Sequence, residues 1–521
     1  MVYYPTSCGS VLLPCKPVSS GNRIGVSTLF CDLGTTVLIP TILVPQMGGD
    51  LDDKIKVIQT LLFTAGINTL LQSTVGTCLP CVVGGSYAFL VPTLSIIYSD
   101  RLQAIQDSHE RFIHSMRAIQ GALIASSSLQ VWGNIHDKVF LKVEESNAIY
   151  TCRFVSPLSA VPLVAMVGLG LYELGFPGVG KCVEIGIPQI LLLVLFSQFV
   201  RNVKLGKHIF ERYSVLIAVA IVWAYAHLLT VSGTYRHAPD LTSSHCRTDR
   251  AALVNSSPWL RIPYPLQWGD PTFEASHVFG MLSAVLVSAV ESTGGFLAAS
   301  RFAGATPPPP FVMSRGLGWQ GIGILLDGMF GTANGSTISI ENTGLLGLSR
   351  VGSRRVVQIS AGFMIFFSLF AKFGAVFASV PTPIVAALFC VLFGQVVACG
   401  LSFLQFVNVN HSRSMFILGF SIFMGLSVPQ YFAEFAASAG HGPVHTHSHW
   451  FNDMFFVIFT SAATVAFLIA IVLDNTLQVT SAKKDRGMTW WEKFKTWKGD
   501  TRNEEFYSLP FHMNKYFSQS V

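Results

Sequence analysis

Apolar runs of bilayer-crossing length recur along this chain almost to its end, and they restrict the fold before any single residue does. Tyr213 to Thr230, Val356 to Val376, Ile384 to Leu401 and Met454 to Leu473 each approach the ~20 residues that cross a hydrocarbon core as a helix. Only 12% of the 521 residues are charged, against roughly a quarter in soluble domains. Inside lipid every backbone group must be satisfied within the protein, so the runs predict an all-α polytopic membrane protein. Met1 to Ser20 lacks the basic start and apolar core of a cleaved signal peptide. The ten cysteines are scattered along the chain and are expected as small buried residues, with no disulfide or metal framework.

Charge placement sets the orientation. Arg201, Lys204, Lys207 and Arg212 share one short loop, Arg350, Arg354 and Arg355 another, and Lys483 to Lys498 brings further cations to the tail. The positive-inside rule puts all three on the cytoplasmic side, and an even number of spans then leaves both termini inside. Residues 236–274 and the loop carrying His441, His445, His447 and His449 fall outside. Without a helix to fix their spacing or a Cys or acid nearby, these histidines are expected to be solvated rather than metal-bound. Arg101 and Arg111 also fall outside and run against the rule. The net charge of +6 follows from loop placement and gives no sign of a nucleic-acid partner.

Two apolar segments are interrupted. Gly76-Thr77-Cys78-Leu79-Pro80 precedes Cys81 to Pro92, and Gly331 to Gly335 precedes Ser336 to Gly344. Each joins Gly or Pro breaks to a short β-branched piece and then to a helix-compatible continuation, which no regular lipid-exposed helix accommodates. A matched pair of broken spans, one per half, predicts an inverted-repeat secondary transporter with its site near the midplane. The helix entered after Glu341 would aim its N-terminal N–H groups at a substrate acceptor. A packing seam of small residues would explain the glycines but not Glu341 and Asn342 beside them.

Glu291 lies in a third segment, Val285 to Phe296, whose other residues are apolar or small. A carboxylate at membrane depth costs several kcal/mol unless neutralised or paired, so Glu291 and Glu341 are expected on a substrate or ion path. Two carboxylates facing one cavity titrate as a coupled unit and can carry a proton with the substrate. Nothing in the chain has the form of a metal constellation, a phosphate-binding glycine loop or a nucleophile–base pair, which argues against an enzyme.

From Gly34 to about Gln430 the chain resembles a plant-type member of the nucleobase–ascorbate transporter (nucleobase:cation symporter-2) family. The blocks that carry the resemblance are Leu33 to Thr41, Glu291-Ser292-Thr293-Gly294, Pro307 to Pro310, Glu341 to Arg350, Val351 to Gln358 and Leu401 to Phe406. The resemblance implies about fourteen spans in two inverted sevens, core and gate domains, two broken spans with short strands, a homodimer and an elevator mechanism. It divides the chain into an atypical segment (residues 1–32), a first half (33–235, broken near 77–98), an extracellular loop (236–274), a second half (275–475, broken near 332–350) and a cytoplasmic tail (476–521). Glu291 matches the acid that hydrogen-bonds the base, Glu341 the second base-binding position, and Asn342 the amide beside it. Tyr87 matches the aromatic that stacks on the base, and Ile340 joins the substrate-binding set. Gly344, Ser349 and Arg350 complete the motif and shape the helix rather than touch substrate.

The family implication is proton-coupled symport of a neutral nucleobase (xanthine, urate, adenine, guanine or uracil) across the plasma membrane, with no cofactor. Ascorbate carriers have Pro where this chain has Glu341, and a carboxylate accepts ring N–H bonds that Pro cannot. Ascorbate transport remains an alternative, as does a transport-inactive paralogue or splice variant. The second alternative rests on departures from the family: Val26 to Asp32 lacks the usual Gln-His pair, and the fourth span is expected to stop after Leu129. Gly295 also stands where relatives carry a polar residue. In the tail, Trp490 to Lys498 suits either a helix on the inner membrane surface or a solvated segment.

Overall fold

A computed structural model describes residues 36–135, 156–200, 207–235, 246–248, 259–305, 308, 310–349, 351–370, 372, 380–439, 442–444, 446, 449–478 and 507. The atypical N-terminal segment, Arg201, Lys204, Arg350, His441, His445, His447 and the basic stretch of the tail lie outside the described residues.

The first half comprises α1 (Thr36–Met47), α2 (Leu51–Thr74), β1 (Val83–Gly85), α3 (Leu90–Ile97), α4 (Ser108–Ile135), α5 (Pro157–Leu169), α6 (Val183–Val194) and α7 (Lys207–Val231). The second comprises α8 (Ala275–Ala303), α9 (Pro310–Phe330), β2 (Ser336–Ile338), α10 (Ile340–Ser349), α11 (Arg354–Leu369), α12 (Thr382–Ser402), α13 (Ser412–Ala439), α14 (His449–Thr460) and α15 (Ala462–Thr476). Five helices among the described residues are long and apolar enough to cross a membrane, six if the bent pair α14–α15 is one span. Local sequence sets many of the boundaries. Asp50 and Asp53 form a capping box at the start of α2, and Ser156 caps α5 with Pro157 at its first position, where a missing N–H costs nothing.

Helices α2, α4, α8, α9 and α11 pack into one group, and α5, α6, α7, α12, α13 and α15 into another. They meet where α8 packs on α5 and α10 packs on α12. At the second contact a Cβ on Gly344 would lie 2.3 Å from the Leu392 carbonyl oxygen, so only glycine lets the two backbones approach this closely.

Several expectations change. The helix of the fourth span does not stop at Leu129, while most of the polar stretch behind that expectation, residues 136–146, lies outside the described residues. Helix α4 continues to Ile135, and the Gln130 amide donates to the Leu317 carbonyl of α9 (2.9 Å), which gives that polar residue a partner inside the bundle. The run Met454 to Leu473 is not one straight helix but bends by 87° at Ser461, between α14 and α15. Ser461 caps α15 by accepting from the Thr464 N–H, and that competing side-chain bond favours a helix start inside an apolar run. Two cysteines are also paired: Cys182, just before α6, is disulfide-bonded to Cys246. They stand 64 positions apart with no spacing signature, so only the folded chain reveals the bridge. The contrary cations have partners as well. Arg101 lies 3.6 Å from Glu274, and Arg111 donates to the Met47 carbonyl.

Candidate functional site

Both broken spans use the same local device. Cys78 (φ 58°) follows α2, and Gly331 (φ 68°) and Ala333 (φ 60°) follow α9; these left-handed turns reverse the chain. The strands then pair antiparallel, Val83 with Ile338, Gly84 with Thr337 and Gly85 with Ser336. All six strand residues are buried, so every backbone group needs a protein partner. Thr69 Oγ1 accepts from the Val83 N–H, Gln320 Nε2 donates to the Ser336 carbonyl, and the Ser339 N–H donates to the Val82 carbonyl. Each strand is followed by a serine that caps the next helical piece. Ser86 Oγ accepts from the Ala88 N–H and Ser339 Oγ from the Asn342 N–H.

A cavity of about 160 Å³ opens where these pieces meet α8 and α15. Glu291, Glu341, Tyr87 and Ile340 all line it, although they come from three separate elements. Helix α10 begins at Ile340, so Glu341 sits inside its first turn rather than ahead of it. Glu341 Oε2 accepts from Ser339 Oγ (2.8 Å), and Glu291 Oε1 accepts from Ser461 Oγ (3.2 Å). The Tyr87 hydroxyl is buried and has no hydrogen-bond partner among the described residues. Among the described residues, no lysine or arginine lines the cavity.

Asn342 does not line this cavity. Successive residues on a helix diverge by about 100°, and here Ile340 and Glu341 fall on the cavity side while Asn342, the next residue round, turns away from it. Asn342 faces a much smaller void of about 10 Å³ beside Val82 and Leu345, and its Nδ2 donates to Ser339 Oγ (3.0 Å). It therefore reaches Glu341 through Ser339. Gly344 packs on α12 as described, Ser349 Oγ bonds back to the Leu345 carbonyl (2.7 Å), and Arg350 lies outside the described residues. Gly295 has a steric reason: a Cβ there would lie 2.3 Å from Ile338 Cγ2 of β2.

Three polar groups escaped the sequence reading. Ser339 and Ser461 each donate to a cavity carboxylate. Asp327, fully buried on α9, accepts from Asn68 Nδ2 (3.4 Å), which also donates to Ser336 Oγ (3.1 Å) behind β2. Asp327 carried a signal, since it is an acid within the apolar run Ile322 to Phe330, as Glu291 is in its own segment. Ser461 carried none, because a serine is compatible with an uninterrupted span.

A buried, carboxylate-lined cavity between two broken helices in an apolar bundle defines a membrane permease rather than an enzyme. The sequence model of the Permease family matches residues 23–434. Nucleobase-ascorbate transporter 2 of Arabidopsis thaliana is 56% identical over 505 residues, covering 97% of this chain and 95% of its own length. Nucleobase-ascorbate transporter 6 of the same plant is 58% identical over 495 residues, covering 93% and 90%. The chain belongs to the nucleobase–ascorbate transporter family. A solved structure of SLC26A9 aligns with 87% of this chain and 65% of its own at 9% identity and a TM-score of 0.48, too low to support an argument from fold.

Proposed function

We propose that this transporter carries a neutral nucleobase together with a proton, binding the base between Glu291 and Glu341 with Tyr87 against its ring. The observation that carries the proposal is the single cavity that joins these three residues. Its volume of about 160 Å³ is close to the ~150 Å³ of an apolar cavity that takes up benzene, so it suits one ring-sized solute. Ring N–H groups of a purine or uracil offer donors to the two carboxylates, and the first turn of α10 offers N–H groups to a carbonyl oxygen. Ascorbate is an anion at neutral pH. Two carboxylates with no cation among the described lining residues make a poor site for it.

The antiparallel pairing of β1 with β2 supports two inverted halves, 33–235 and 275–475, with about fourteen spans in all. The two helix groups match the core and gate of an elevator, α2, α4, α8, α9 and α11 forming the part that moves with the base. A homodimer in the plasma membrane completes this reading.

The test is uptake of radiolabelled xanthine, adenine, uracil and ascorbate in transport-deficient yeast with the chain at the cell surface. Saturable base uptake, lost in Glu341→Ala and in Glu291→Gln at unchanged surface expression, is the expected result. Ascorbate uptake, or base uptake kept by both variants, refutes the site. Proton coupling predicts that uptake rises several-fold as external pH falls from ~7 toward ~5 and collapses with a protonophore. A pH-flat, sodium-dependent flux refutes the coupling alone.

A further inference from the structure

Tyr507 lies 31 positions beyond the last residue of α15 (Thr476), yet it is fully buried and among the largest fully buried side chains of the described residues. It belongs to the same apolar cluster as Leu79, Val312 and Met313, which come from the first broken span and from α9. Beside it sits Arg315 of α9, only 6% exposed. Arg315 Nε donates to the Gly76 carbonyl (2.7 Å), and its Nη2 reaches the Tyr507 carbonyl (3.4 Å) and the Cys78 sulfur (3.9 Å). A buried guanidinium without acceptors is strongly destabilising, so each of these acceptors helps to retain it.

We infer that Tyr507 docks on the bundle of its own chain by seating against Arg315, and that this seat fixes the Gly76–Pro80 connection through which α2 delivers β1 to the cavity. The mechanical chain is short. Arg315 holds Gly76 and Cys78, Cys78 has the left-handed backbone that turns the chain, and β1 begins five residues later and leads into Tyr87. Emptying the seat removes one carbonyl acceptor from Arg315 and a large aromatic volume from the cluster. The connection then loses support from one side while the paired strands stay in place. The inference stands whichever solute is carried.

The test uses the free thiol of Cys78, which is fully buried beside the seat. Detergent-purified full-length protein, a chain ended at Asp500 and the full-length variant Tyr507→Ala are treated with N-ethylmaleimide, and labelling is followed by mass spectrometry. Cys399 of α12, also free and buried, reports on the rest of the fold. The expected result is labelling of Cys78 at least ~tenfold faster in both altered chains, a local opening, with Cys399 unchanged. Tyr507→Phe keeps the aromatic ring that alanine removes and should label as slowly as the parent. Equal Cys78 rates in all chains refute the docking. Acceleration of both thiols in Tyr507→Ala refutes a local seat in favour of a general folding role. Protection of Cys78 in the shortened chain when it is co-purified with a full-length partner refutes docking within one chain and assigns the seat to a second copy.

Discussion

Substituting Gly295 by alanine tests how closely α8 and β2 must approach for the cavity to keep its shape. The added Cβ would lie 2.3 Å from Ile338 Cγ2, 3.2 Å from Cδ1 and 3.4 Å from Cβ. Relaxed carbon contacts begin near 3.5 Å, so the variant must open the α8–β2 gap by about 1.2 Å or force Ile338 off its rotamer. Overpacking of this kind costs about 1–3 kcal/mol. Ile338 lines the cavity, as do its neighbours Ser339 to Glu341. If the strain falls on the bound state, KM for the base rises by about 5- to 150-fold at unchanged surface expression. The pattern of rescue gives the sharper check. Ile338→Ala leaves only the Cβ, at an acceptable 3.4 Å, and should restore uptake in the Gly295→Ala background. Ile338→Val keeps a γ-carbon at the clash and should not. Initial-rate uptake normalised to biotinylated surface protein measures all four chains. A normal KM in Gly295→Ala, or equal rescue by valine and alanine, refutes the steric argument.

Ser461→Ala removes the hydroxyl that donates to Glu291 and should raise KM by about tenfold with little change in maximal rate, the scale of one hydrogen bond to a carboxylate. Ser461→Thr keeps a hydroxyl and should lie closer to the parent, and a KM unchanged in both variants would show that the contact is idle. Asn342 reaches Glu341 only through Ser339, so Asn342→Ala and Ser339→Ala should be non-additive, with a coupling of about 1 kcal/mol in KM. Additive losses would mean that Asn342 acts on transport by a separate route.

How much of this was legible in the sequence depended on whether a residue's cost was local. Glu291 and Glu341 stood out because a carboxylate inside an apolar run is expensive wherever the rest of the fold lies. The broken spans stood out because Gly and Pro interrupt a helix by local geometry. Ser461 could not be recognised, since its capping role depends on α15 starting there and its contact depends on α8 lying opposite. The Cys182–Cys246 pair, the Gln130–Leu317 bond that carries α4 past Leu129, and the Ile338 methyl that explains Gly295 are all contacts between distant positions. A single sequence without its fold contains no term for them.

The bend at Ser461 also bears on the charge of the solute. Ser461, Ala462 and Ala463 line the cavity, so α15 begins there, as α10 does at Ile340. Each helix N-terminus carries roughly half a positive charge. Two such ends set against Glu291 and Glu341 offset about half of the pair's full charge, and the proton of the proposed symport would offset the remainder. The cavity is then close to neutral while rich in fixed donors and acceptors. A solute with net charge of either sign would lose its hydration there without a compensating partner, whereas a neutral ring edged with N–H and C=O groups meets a partner on each side. A straight helix through residues 449–476 would carry its peptide N–H groups past Glu291 already engaged within the helix, leaving the carboxylates unopposed on that wall. Under the proposed function, the third break, invisible in the hydropathy of the chain, is what would suit a two-carboxylate cavity to an uncharged base.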